Sequence, residues 1–226
     1  MSAIVGGSDV EQGRWEPAAA PGTAAAAAAA AAIGIHPDGP EARVIDAVVA
    51  CAGRWGIDKT TVDDVAREAG MSRATVYRLF PGGKPSIVHL ATRREVVALV
   101  AGIVERVEAC DDLTDALVEM VSGSTRAIEA QPAVAYMRAH DPASVRAFFS
   151  FERLAALFEL AADLASPALC RFLDPDEARE VTVWVARLVV SHYLQPDPAR
   201  PLADPEEARA LVERHVLVGL ATAASP

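Results

Sequence analysis

TTVDDVAREAGMSRATVYRLF, residues Thr60 to Phe80, decides how the rest of the chain is read. Thr61 is suited to cap a first short helix, and Asp64 at the third helical position completes a capping box. Val62, Val65, Ala66 and Ala69 recur at i, i+3, i+4 and i+7, which gives that helix one narrow apolar face. Gly70 stands where the helix must stop and the backbone turn, a place that favours positive φ. Ser72 is the next N-cap, and Val76, Leu79 and Phe80 form the buried side of a second helix. Its outward residues are Arg73, Thr75, Tyr77 and Arg78. Two helices of this size joined by a short glycine turn make a helix-turn-helix, whose second helix suits a DNA major groove.

The flanks fit a small helical module. A preceding helix is expected from about Glu41, just after Pro40, to Trp55, with Val44, Ala47, Val48, Cys51 and Trp55 at helical spacing and Gly56 as its stop. That stripe builds the core under the helix-turn-helix, with Cys51 a buried thiol rather than a nucleophile. Beyond Phe80, Pro81-Gly82-Gly83 breaks the second helix, and Pro85 fits the first turn of a long one. Ile87, Leu90, Ala91, Arg94, Val97, Ala98, Ala101 and Val104 carry that helix to about Ala109. Residues 1–40 read as a mobile tail in which glycines, prolines and nine alanines from Ala24 to Ala32 leave no apolar stripe to dock. The alanines favour a local helix. The run is too short to cross a bilayer and lacks the basic start of a signal peptide.

Composition sets the class. Apolar residues make up 52% of the 226 and aromatic ones 5%. Alanine, leucine and valine dominate without strand-like alternation, so the expected fold is all-α. Cys51, Cys110 and Cys170 are odd in number and widely spaced, which argues against a disulfide framework or a metal site and for a reducing cytoplasm. A formal net charge of −10 speaks against nucleic acid until its distribution is followed. Residues 41–95 hold nine Lys/Arg against seven Asp/Glu, net +2, while residues 1–40 carry −3 and residues 96–226 carry −9. A basic module beside an acidic body suits a DNA-facing protein, although +2 is a weak patch.

From Asp111 onward, helices are expected over about 112–130, 132–140, 143–165, 176–194 and 205–222. The breaks fall at Pro132, Asp141-Pro142, Ser166-Pro167 with Asp174-Pro175, and the run Pro196 to Pro205. Phe148, Phe151, Ala155, Phe158 and Ala162 share one face of the 143–165 helix. On the next, Val181, Trp184, Val185, Leu188 and His192 line one side, with Val183, Ala186 and Val190 opposite, so that helix must be covered twice. The last helix offers Leu211, Val212, His215, Val216 and Gly219 as an apolar stripe.

The pattern Thr-Thr-Val-x-x-Val-Ala-x-x-Ala-Gly-x-Ser-x-x-Thr-Val-Tyr-x-x-Phe resembles the DNA-binding segment of the TetR family of bacterial transcriptional regulators, from about Ala42 through Lys84. Three features depart from the family pattern. Pro81-Gly82-Gly83 is one residue longer than usual, Pro85 replaces a common acidic residue, and Leu79 a common histidine. The resemblance implies a three-helix DNA-binding domain over 41–86 and a larger helical effector-binding and dimerisation domain over 87–226. It also implies a homodimer through a four-helix bundle of the last two long helices. The function to expect is ligand-responsive regulation of transcription, most simply by a repressor. An activator of the same architecture, and a helical small-molecule-binding protein without DNA function, stand as alternatives.

Candidate contacts follow. Arg73, Thr75 and Arg78 are placed to meet bases, and Thr61, Ser72, Tyr77 and Lys84 to meet phosphates. Thr61 and Ser72 serve equally well as caps alone. The family keeps its effector among the later helices, where Met137, His140, Phe148, Phe151, Phe158 and Trp184 are the candidate lining. An aromatic stripe is more often ordinary core, yet such a lining favours a lipid-like, acyl or hydrophobic drug-like effector over a sugar or nucleotide. His140 and His192 are candidates to orient a polar head, a satisfied core histidine being the plainer reading.

Enzyme chemistry finds little support. Gly82-Gly83-Lys84 resembles the end of a phosphate loop, but Arg78 stands where the first glycine belongs and Pro85 where Ser or Thr belongs. Gly123-Ser124 lacks the second glycine of a nucleophile turn. The five histidines never pair at ligand spacing, so no metal or cofactor is expected. Paired acids such as Asp111-Asp112 and Glu206-Glu207 stand at helix starts, where the dipole accounts for them.

Overall fold

The computed structural model describes residues 33–140 and 151–218, with Ala31 and Leu220. Among these residues there are nine α-helices and no strand, so the all-α expectation holds. In order they are α1 (Pro40–Trp55), α2 (Val62–Glu68), α3 (Arg73–Leu79) and the long α4 (Gly83–Glu108). Then come α5 (Leu113–Glu129), α6 (Pro132–His140), α7 (Phe151–Leu169), α8 (Pro175–Leu194) and α9 (Pro205–Leu211).

Two apolar cores organise them. Val44, Ile45 and Val48 of α1 close with Val65 of α2, Val76 of α3, Phe80, and Ile87 and Ala91 of α4. Farther along, Val100, Ile103 and Val107 of α4 pack with Leu117 and Val121 of α5, Leu169, and Val181, Val185 and Val189 of α8. The long helix therefore sends buried side chains into both cores. Helices of seven residues are unstable alone. Each fully buried Val, Ile or Leu stabilises by roughly 1.5–3 kcal/mol, so the first core, more than propensity, holds α2 and α3. Across the two cores, α6 lies on α1, with Pro132 against Gly53 and Tyr136 against Gly56.

Several boundaries and faces differ from expectation. The tail does not extend to residue 40: Ile35 is buried and Ile33 half-buried against the first core. Two isoleucines two residues apart tie the segment down without any helical stripe. The rest of the tail, including the alanine run to Ala30, lies outside the described residues. Nor does α7 stop at Ser166-Pro167, since it continues to Leu169 with Pro167 inside. Proline removes one backbone bond there, but its ring faces outward, and burying Ala168 and Leu169 offsets the loss.

Ala155 is exposed, so the inward face of α7 is turned partly away from the one that the spacing suggested. It keeps Phe158 and Ala162 of the expected face but otherwise runs through Leu154, Leu157, Ala161 and Ala165, mostly small and aliphatic residues that allow close approach to α4 and α8. Phe148 and the side chain of Phe151 lie outside the described residues. The inward face of α8 is Ala178, Val181, Thr182, Val185, Val189 and Tyr193, which leaves Trp184 outward and 39% exposed. Beyond α9 the chain passes into a π-turn, Val212–Val216. Its wider turn aligns residues at i and i+4, keeping Val212 and Val216 buried and turning His215 out to solvent. His215 thus leaves the expected stripe.

Candidate nucleic-acid interface and body cavity

The helix-turn-helix is built by its caps. The Thr61 Oγ1 accepts from the Asp64 amide at 3.2 Å, while the Thr61 amide donates to Asp64 Oδ2 at 3.0 Å. That reciprocal pair is the expected capping box. The Thr61 hydroxyl also donates to Asp64 Oδ2 at 2.6 Å, and these bonds hold the Asp64 carboxyl below the usual aspartate range, with Arg67 helping. Gly70 turns the chain at φ +66°, in open space. Ser72 Oγ then caps α3 by accepting from the Thr75 amide at 3.1 Å, and it shares a 2.9 Å bond with the Thr75 hydroxyl.

On α3, Val76 faces the core, as does Phe80 just past its end, while Arg73, Tyr77 and Arg78 are exposed and Thr75 half-exposed. Their circumstances differ. Arg73 donates to Asp63 of α2 at 2.8 Å, and its guanidinium sits 5.5 Å from the centre of the Tyr77 ring. Arg78 has no partner among the described residues. The Tyr77 ring rests on the loop below it, where a Cβ at Gly83 would meet Cε1 at 3.2 Å. Gly83 has φ +61° and donates to the Phe80 carbonyl at 2.8 Å, so the longer Pro81-Gly82-Gly83 connection closes as a tight turn beneath the tyrosine. Lys84 does not extend freely outward: its Nζ donates to the Asp58 carbonyl at 3.1 Å. That bond ties α4 to the loop before α2. Lys59, exposed on that same loop, was not singled out from the sequence, because a lone lysine in a turn carries no pattern.

The second site is a cavity of about 250 Å³ whose wall is almost wholly apolar. Val48 and Ala52 of α1, Val88 and Leu99 of α4, Leu157 and Phe158 of α7, and Val185 and Val189 of α8 are among its lining. Of the candidate effector residues, Phe158 lines it. His140 and Trp184 do not: both are exposed, His140 with its ring 4.7 Å from Tyr136. His140 ends α6 on its solvent side, and Trp184 sits on the side of α8 away from buried Thr182. His192 is half-buried and also outside the lining. Phe148 and the side chains of Met137 and Phe151 lie outside the described residues. The polar groups that do line the space are Thr92, Glu95, Ser124, Gln131 and Thr182. Glu95 was legible in principle, as a charge between Val88, Thr92, Leu99 and Ile103 on a single helical face.

No group of three or more metal-ligating side chains occurs among the described residues, and none of the described helices is long and apolar enough to cross a membrane. The model of bacterial regulatory proteins of the tetR family matches residues 44–89, from α1 into α4. Over that segment the chain is similar to the tetR family. Uncharacterised HTH-type transcriptional regulators of Mycobacterium bovis and Mycobacterium tuberculosis are 30% identical to this chain over 79 residues, or 35% of it. The chain spans 39% of the length of those curated relatives. The likeness of structure reaches further. The crystal structure of the TetR family repressor AlkX from Dietzia sp. strain DQ12-45-1b, implicated in biodegradation of n-alkanes, is similar at a TM-score of 0.62. It is 25% identical and covers 78% of this chain and 92% of its own. A tetR-family transcriptional regulator from Streptomyces coelicolor shares the fold at a TM-score of 0.54 and 20% identity, over 82% of this chain and 83% of that one.

Proposed function

We propose that this protein is a cytoplasmic, ligand-responsive, sequence-specific DNA-binding regulator: a repressor that a hydrophobic small molecule releases from its operator. The carrying observation is the shared wall of the cavity, where Val48, Val49 and Ala52 of α1 face the same space as Leu157 and Phe158 of α7. A molecule in that space bears at once on the helix under the recognition pair and on α4, which enters both cores. The functional unit is a homodimer in which two copies of α3 enter successive major grooves, with half-sites about 34–36 Å apart. Exposed Trp184 on α8 and Val218 beyond the π-turn support pairing through the last two helices. Arg73, Thr75 and Arg78 meet bases; Thr61, Ser72, Tyr77 and Lys84 meet the backbone. Similarity to a repressor implicated in n-alkane biodegradation supports both repression and an apolar effector.

A coupling of roughly 1–3 kcal/mol shifts operator affinity about 5–150-fold, provided the ligand prefers one of the two states. The test is a mobility shift of DNA flanking the protein's own gene, at two salt concentrations, with a reporter read in cells lacking the protein. A sequence-selective shift that weakens with salt, as released counterions demand, together with a reporter that rises on deletion, is the expected result. A reporter that falls on deletion supports an activator. Absence of any salt-sensitive shift supports a small-molecule-binding protein without DNA function.

A further inference from the structure

Glu95 lies in the cavity wall, one turn from Ala91 and one from Leu99 on α4. Among the described residues it is the one ionisable side chain there. Its neighbour Arg94 has a side chain only 8% exposed and grips two carboxylates. Arg94 Nη1 donates to Asp46 Oδ1 of α1 at 2.6 Å, and Nε and Nη2 donate to Glu95 Oε1 at 3.2 and 2.9 Å. One guanidinium between two carboxylates leaves the cluster with a negative charge over. Glu95 Oε2 accepts no hydrogen bond among the described residues.

Resting on the reading of this cavity as an effector site, we propose that its ligand is an apolar amine or comparable cation, whose charged head is received by Glu95. A cationic head seated at the Glu95 part of the wall meets a net negative cluster at the edge of an apolar space, where attraction is weakly screened. A fatty-acid head meets like charge there, and a bare hydrocarbon leaves the carboxylate partly desolvated with nothing gained. The same contact reaches the DNA module. A cation on Glu95 competes with Arg94 for it, and Arg94 is the residue that joins α4 to Asp46 of α1.

The space of about 250 Å³ matches roughly eight groups the size of a water or methylene, which makes octyl compounds suitable probes. Full-length protein, wild type and Glu95→Gln, is titrated calorimetrically with n-octylamine below its pKa, n-octanol and sodium octanoate. The wild type is expected to bind octylammonium at least tenfold more tightly than octanoate or octanol. Glu95→Gln removes that preference while changing octanol binding less than threefold, and Glu95→Asp, which keeps the charge, retains it. The wild-type comparison stands even if a variant folds poorly. Octanoate or octanol binding as tightly as the amine overturns the cationic head and leaves an apolar effector cavity standing. A preference for amine that survives Glu95→Gln overturns Glu95 as its receiver. No binding of any of the three overturns this proposal and the effector reading together.

Discussion

Arg73 and Arg78 lie on one short helix, yet in the proposed complex with DNA they start from different circumstances. Arg78 has no partner among the described residues to surrender, so Arg78→Ala is expected to lose about 1–3 kcal/mol of operator affinity and to relax preference at one base pair, read by a mobility shift against a set of operator variants. Arg73 must leave Asp63, with which it makes an exposed pair of 59% and 54% accessibility. Such a pair contributes about 0–1 kcal/mol to stability. Asp63→Asn therefore leaves the unfolding midpoint nearly unchanged while strengthening DNA binding, because Arg73 is freed and one negative charge leaves the interface. Asp64 is a different kind of carboxylate. Bonds from Thr61 lower its pKa in the folded state, so it contributes stability that is complete above the ordinary aspartate value of 3.8 and is lost as pH falls through the lower folded value. Thr61→Val, which removes the hydroxyl, should destabilise at neutral pH by about 0.5–2 kcal/mol as a lost N-cap. Urea midpoints at pH 7 and pH 3 check this: the gap between wild type and variant narrows in acid.

Among the elements, caps and turns were the legible part, because each is a local rule about a single residue type. Thr61, Gly70 and Ser72 do in the structure what their positions announce. Faces were less legible. Phe158 and Trp184 are both large and apolar at helical spacing, but one lines a cavity and the other faces solvent, and only the neighbouring helices distinguish them. The π-turn at Val212–Val216 has no composition signal at all, so the stripe through His215 was read as if the helix kept 3.6 residues per turn. Gly70 and Gly83 separate the conformational from the steric part of a turn. Both have positive φ, but a Cβ at Gly70 meets open space while one at Gly83 meets Tyr77 at 3.2 Å. Gly70→Ala is expected to cost about 1–2 kcal/mol by backbone strain alone, with the Tyr77 surface intact. Gly83→Ala carries the same strain and also displaces Tyr77, so it should destabilise more and weaken DNA binding beyond what urea unfolding alone accounts for.

For the whole molecule the question is whether one cavity and one DNA surface share a free energy. α4 enters both cores, α6 rests on α1, and Arg94 joins α4 to Asp46, so a change in the cavity has packed routes to α3. For the proposed regulator, linkage then imposes a symmetry: the factor by which ligand would weaken operator binding must equal the factor by which operator would weaken ligand binding. A homologous series of n-alkylamines tests both the space and the coupling. Each methylene buried contributes about 0.8 kcal/mol, close to fourfold in affinity. The climb should therefore continue to chains of about eight carbons, where 250 Å³ is filled, and then level off. Repeating the titrations with operator bound should lower every affinity by one common factor, because the chain sets how tightly the cavity is filled and the head's hold on Glu95 sets which state is preferred. A series that is flat from its shortest member places the chains outside the cavity. A full climb with no operator effect means that the cavity binds its ligand equally in both states, and such a ligand shifts nothing however tightly it is held.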